Sequence, residues 1–188
     1  MAKGLTLGWL ILIWGEEVDT MEIWDLYNED RTLSGQYMVR GNEVPDNMYH
    51  LVVHVWIKNK KGEYIISQRS ANRPNNPLLW ETSGGSVLKG ETSVDGALRE
   101  VKEELGIDLD KNKGKVVFSH TRGVINGQKF NDIMDVWLFE YDGPLTLEKA
   151  TTDEVADIKW ATKEEIKDLM DNKKFVPTLF YFFERDDL

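Results

Sequence analysis

Cysteine is absent from the 188 residues. That absence excludes disulfides, zinc–thiolate sites and cysteine nucleophiles, and it fits the cytoplasmic address expected here. Basic side chains are outnumbered, 23 lysines and arginines against 33 acids for a formal charge of −10, so general attraction to nucleic acid or to an anionic membrane is not expected. Phosphates can still be held through a metal. The apolar stretch Leu5 to Trp14 is interrupted and falls short of the roughly 20 residues that cross a bilayer. Repeats, low-complexity tracts and obvious linkers are lacking too. With 41% hydrophobic residues the chain can nevertheless bury a proper core, and one globular domain is the expectation.

Residues 1–20 read differently from the rest. Lys3 ahead of an apolar run hints at a signal peptide, yet Gly15-Glu16-Glu17 follows where a small-residue cleavage site belongs. The genetic code offers another explanation. Gly15-Glu16-Glu17-Val18 can be encoded with an AGGAGG tract, the bacterial ribosome-binding consensus, a short gap before the codon of Met21. Residues 1–20 are therefore expected to be translated leader, and residues 21–188 the natural domain.

From Met21 onward the pattern is orderly. Glu22 to Tyr27 alternates like a half-buried strand, Asn28 to Arg31 is a polar turn, and Thr32 to Arg40 returns to complete a hairpin. His50 to Ile57 and Tyr64 to Arg69 read as a second strand pair around the turn Asn59 to Glu63. Ala71 to Pro77, with its prolines and asparagines, is a loop. Strands follow at Lys115 to Thr121 and Lys129 to Tyr141 around Asn126-Gly127, then Asp157 to Ala161. Thr162 caps a helix through about Asp171, and Pro177 to Glu184 is expected to be an aromatic-rich terminal helix. His50, His54 and His120 are dispersed and read as strand histidines.

Between the strand pairs lies the stretch Gly85 to Ile107. Thr92 is a good N-cap with Asp95 three residues on, Gly106 is a stop, and Val94, Ala97, Leu98, Val101 and Leu105 form one apolar stripe. Glu100, Glu103 and Glu104 share the flank of that stripe, within an arc of about 100°. Arg99 and Lys102 are expected mostly on the other side of the helix, leaving the cluster unneutralised. A solvated acidic face and a site for a hard divalent cation are both open at this point.

The sequence in front of the helix bears on that choice. Gly85, Glu91 and the run Arg99-Glu100-Val101-x-Glu103-Glu104-x-Gly106-Ile107 occupy the fixed positions of the Nudix box, a match whose chance probability is far below about one in a million. The chain thus resembles a Nudix hydrolase. The resemblance implies an α/β fold, an α/β/α sandwich with a mixed β-sheet, here with an N-terminal β-hairpin extension. It implies that Glu100, Glu103 and Glu104 bind Mg²⁺ or Mn²⁺ with the Gly85 carbonyl, that Glu91 and Arg99 form a supporting ion pair, and that the substrate is a small diphosphate. Water attacking a diphosphate meets negative charge on every oxygen, so cations and a base are needed. Because some Nudix enzymes take the base from a later loop, Glu154 joins Glu103 and Glu100 as a candidate, against the alternative of an exposed loop acid. Arg69, at a strand end, is a candidate phosphate contact or a surface ion pair.

More loosely, residues from about Glu22 through the box resemble isopentenyl-diphosphate isomerase, in the Ile-Trp-Asp-Leu-Tyr hairpin, Gln68-Arg69-Ser70 and Pro77-Leu-Leu-Trp80. That family's reaction uses a cysteine, absent here, and Ser86 stands where a metal-site histidine is sought. Hydrolysis of a nucleoside diphosphate derivative is the expected activity, with isomerisation and a non-catalytic nucleotide-binding module as alternatives. Oligomeric state stays open between monomer and homodimer.

Overall fold

The computed structural model describes residues 9–12, 19–125 and 127–188, with side chains described from Met21 onward apart from positions 125 and 128. Its contacts divide the chain into two compact units, one of residues 1–53, 85–96 and 119–135, the other of residues 54–84, 97–118 and 136–188.

The first unit is built on the expected hairpin. Strand β2 (Asp19–Tyr27) pairs antiparallel with β3 (Leu33–Val39), with Trp24 opposite Met38, and its end pairs with the start of β4 (Tyr49–Lys58) through Leu26 and His50. Strand β1 (Trp9–Leu12) lies antiparallel to the beginning of β2, which includes Asp19 and Thr20; residues 1–8 and 13–18 of the expected leader fall outside the described ones. Alternation along β2 places Trp24 and Leu26 on one face, where they pack with Met38 and Leu88. His50 is buried and stacks on Trp24 with ring centroids 4.4 Å apart. Burial holds its imidazole below the ordinary histidine range, over the opposing charge of Asp132.

The second unit contains the rest of β4 and its partner β5 (Tyr64–Arg69), joined in register at Lys58 and Tyr64. On β5 are laid the short β6 (Trp80–Glu81) and β10 (Val155–Ala161), both antiparallel, while a parallel bridge joins Trp80 to Phe175. The sheet is therefore mixed. Trp56 is fully buried and stacks on Phe182 at 4.0 Å, with Tyr64 edge-on to the same ring at 4.9 Å. Helix α2 (Lys163–Asp171) starts on the expected cap, with Thr162 and Glu165 forming a reciprocal capping box.

The hairpin of β8 (Gly114–Ile125) and β9 (Gln128–Glu140) supplies residues to both units. Gly127 turns at φ +81°; Asn126 of the expected turn lies outside the described residues. One element departs from expectation. Pro177–Glu184 winds as a 3-10 helix, because Leu179, Tyr181 and Phe182 are all drawn into the core by so short a segment. His54, His50 and His120 all lie on strands, as expected. Among the described residues no helix is long and apolar enough to cross a membrane.

Candidate active site

Helix α1 (Ser93–Leu105) carries the acidic cluster. Its N-terminus, in the first unit, closes as the sequence implies: Thr92 N–H donates to the Asp95 carboxylate at 3.1 Å and Asp95 N–H to the Thr92 hydroxyl at 3.4 Å. In the turn leading to it, the Glu91 carboxylate accepts the Leu88 N–H at 3.0 Å, and Asp25 accepts the Gly90 N–H at 2.8 Å. Gly85 lies on β7 (Ser83–Ser86). Gly96 has its own reason for being glycine, since a Cβ there would lie 2.8 Å from Cγ2 of Val87.

The remainder of α1 belongs to the second unit. Ala97, Val101 and Leu105 are buried, so the apolar stripe does face a core. Glu104 is drawn in with them and is 8% exposed. Its carboxylate accepts the Ser83 hydroxyl at 2.5 Å and, more weakly, the Gly84 N–H at 3.4 Å. Burial first, and the charge of Glu100 next, push this carboxyl well above the usual carboxylate range despite the Ser83 hydrogen bond; Glu81 and Glu154 add to the rise.

Arg99 is not where the sequence reading put it. Its Nη1 lies 2.9 Å from Glu100 Oε1 and 3.0 Å from Glu103 Oε2, partly neutralising the cluster. The physical reason is simple: residues four apart on a helix are neighbours, and a long guanidinium side chain covers the remaining offset.

Arg69 and Glu154 also have partners. Arg69 donates through Nε to the Asn75 carbonyl at 2.8 Å and pairs through Nη1 with Glu81 at 2.6 Å. Arg69 thus forms an ion pair, with a Glu81 that is half-buried rather than solvated; burial raises that carboxyl over the opposing pull of Arg69. Glu154, immediately before β10, pairs with Arg73 at 2.7 Å. Sequence reasoning missed Arg73, Glu81 and Ser83. A second arginine four residues after Arg69, in a loop otherwise of Pro, Asn and Ala, was the available signal for the first; nothing marked the other two.

The donor set suits a hard divalent cation by its chemistry. Glu81, Glu100, Glu103, Glu104 and Glu154 share three guanidinium groups, those of Arg69, Arg73 and Arg99, and no basic side chain pairs with Glu104 among the described residues. In the arrangement described, however, no three such groups converge into a ready-made cation cage. Arg99 holds one oxygen of each of Glu100 and Glu103, leaving the second oxygen of each carboxylate off the guanidinium.

A family model, the NUDIX domain, matches residues 48–180. The chain belongs to the Nudix hydrolase family. An uncharacterised Nudix hydrolase of Listeria innocua is 40% identical over 164 residues, covering 87% of this chain and 91% of that protein. Isopentenyl-diphosphate Delta-isomerase of Shigella boydii is 24% identical over 123 residues, 64% of this chain and 66% of the isomerase, in keeping with the looser resemblance noted in the sequence. A crystal structure of a Deinococcus radiodurans protein shares the fold, with a TM-score of 0.64 over 82% of this chain and 92% of that one at 21% identity. This Nudix hydrolase thus has the mixed sheet and few helices of the Nudix fold, and its family generally uses divalent metals and acts on small molecules.

Proposed function

We propose that this Nudix hydrolase cleaves the diphosphate bond of a nucleoside diphosphate derivative, using Mg²⁺ or Mn²⁺ held by Glu100, Glu103 and Glu104. The observation that carries the reading is the burial of Glu104 beside Glu100 with no basic partner among the described residues, a surplus of negative charge that a hard cation offsets. When bound, such a cation neutralises phosphoryl oxygens and makes water more acidic.

The chain's own residues supply the rest. Ser83 orients the Glu104 carboxylate, leaving its second oxygen for other work. Arg99 bridges Glu100 and Glu103 and so holds both on one side of the helix. Glu154 takes the proton of the attacking water, because its charge is felt at both Glu81 and Glu104 and its loop is tied to α1 by Thr151 N–H donating to the Glu103 carbonyl at 2.8 Å. In-line attack at phosphorus asks for this arrangement of acids, base and charge. The isomerase reading lacks its cysteine in this sequence. We place the enzyme in the cytoplasm with a small diphosphate as its partner.

Phosphate release from a panel of nucleoside diphosphates, nucleotide sugars and dinucleotides with Mg²⁺ tests the proposal. Turnover is expected for at least one class and should fall about 100-fold or more in Glu103→Gln. Undiminished turnover in that variant would remove the assignment.

A further inference from the structure

Arg73 and Glu154 form an ion pair of 2.7 Å whose side chains are only 22% and 30% exposed. The backbone around them is fastened from two directions. Ser70 N–H donates to the Glu154 carbonyl at 2.8 Å, the Ser70 hydroxyl to the Asp153 carbonyl at 2.5 Å, and Asn72 Nδ2 to the Asp153 carboxylate at 3.1 Å. Thr151 and Thr152 N–H groups reach the Glu103 carbonyl of α1 at 2.8 and 3.3 Å. With the main chain so held, side-chain rotation is the freedom left to Glu154.

Arg73 is incompletely satisfied. Its Nε is buried and has no hydrogen-bond partner among the described residues. An unpaired buried donor is costly, and such a donor beside a cluster of acids is suited to a ligand that brings its own acceptors. Arg69 provides the contrast, with Nε on the Asn75 carbonyl and Nη1 on Glu81. Of the two arginines, Arg73 is the one whose spare donor is buried.

We infer that Arg73 receives a phosphoryl group of the substrate and that its ion pair with Glu154 is a latch which the substrate opens. Phosphoryl oxygens take the guanidinium through Nε and Nη, the geometry arginine favours for phosphate, and the Glu154 carboxylate is released toward the attacking water. Glu154 is thereby held out of action until an anion of the right kind arrives. This rests on the diphosphate reading given above.

The test is calorimetric binding of α,β-methylene ADP, a diphosphate that cannot be cleaved at that bridge, in EDTA and in Mg²⁺. Opening the latch by Glu154→Gln should tighten binding about tenfold, while Arg73→Gln should weaken it by a similar factor or more. Arg73→Lys keeps the charge but lacks the Nε–H, and should bind more weakly than wild type while retaining its thermal midpoint. In the double variant the gain from Glu154→Gln should vanish. A gain that persists there would mean plain removal of negative charge, and loss of affinity in both single variants would mean a structural ion pair; either overturns the latch while leaving the diphosphate reading intact. Wild type that binds neither this probe nor inorganic pyrophosphate, with or without Mg²⁺, would overturn both.

Discussion

The hydroxyl of Ser83 donates a 2.5 Å hydrogen bond to Oε2 of Glu104, a carboxylate that the fold buries and that burial and Glu100 together drive toward its neutral form. The native state therefore bears the cost of a buried acid beside another acid. Glu104→Gln keeps the shape and a carbonyl oxygen for Ser83 while deleting the charge. In EDTA at neutral pH this variant should be more stable than wild type by on the order of 1 kcal/mol, roughly 2–4 °C in thermal midpoint, with turnover lost. Scanning calorimetry decides it, a lower midpoint being the contrary result.

Gly106 ends α1 at φ +68°, and a Cβ there would lie 2.6 Å from the Lys149 carbonyl carbon and 2.7 Å from the Ala150 nitrogen. Both atoms are backbone and cannot swing aside. Gly106→Ala should lose about 2 kcal/mol or more, from left-handed strain plus overpacking. Since the displaced segment leads to Glu154, turnover at a temperature where the variant is folded should fall too. An unchanged rate would separate helix termination from base placement.

Gly96 sits inside α1, where alanine ordinarily gains up to about 1 kcal/mol of helix propensity. Its Cβ would meet Val87 Cγ2, a buried methyl, at 2.8 Å. We expect the clash to win, giving a net loss of about 1 kcal/mol for Gly96→Ala, with much of it recovered when Val87→Ala is added. Urea unfolding of the two variants provides the comparison.

Acid sensitivity should trace in part to Asp135, which is 2% exposed and held by both terminal guanidinium nitrogens of Arg31 at 2.8 Å and by the Ser119 hydroxyl. Burial alone would raise this carboxyl; the hydrogen bonds from Arg31, Ser119 and Ser93 outweigh it and keep it below the ordinary range. With the folded value depressed, the contribution is complete above the unfolded value of about 4 and is lost as pH falls from there through the folded value. Asp135→Asn should cost about 2 kcal/mol at pH 7, less than for a fully buried pair because Arg31 is partly exposed, and the gap to wild type should narrow toward pH 3. A gap constant with pH would assign the loss to packing.

What was legible in the sequence was local. Thr92, Asp95 and Gly106 bound α1 through contacts within a few residues, and alternation located β2, β3 and β5 closely. The box placed Glu100, Glu103 and Glu104 on one helix, and the order of chain put Glu154 next to a strand. The choices of long side chains were less accessible. Helical position alone puts Arg99 mostly on the other side of the helix, whereas its reach turns it onto Glu100 and Glu103. For Arg69 the sequence offers a phosphate contact or a surface ion pair and names no partner, because Asn75 lies in a loop, and Glu81 on the strand after it, whose placement no local rule dictates. The same loop delivers Arg73 to Glu154 across 81 positions of sequence.

The central claim is that the acids of α1 hold a divalent cation against a diphosphate. Titration calorimetry of Mg²⁺ and of Mn²⁺ into the protein with α,β-methylene ADP present addresses it most directly. Cation uptake is expected in wild type and should weaken about 10- to 100-fold in each of Glu100→Gln, Glu103→Gln and Glu104→Gln. No uptake in wild type, or uptake undiminished when all three are replaced, would contradict the account.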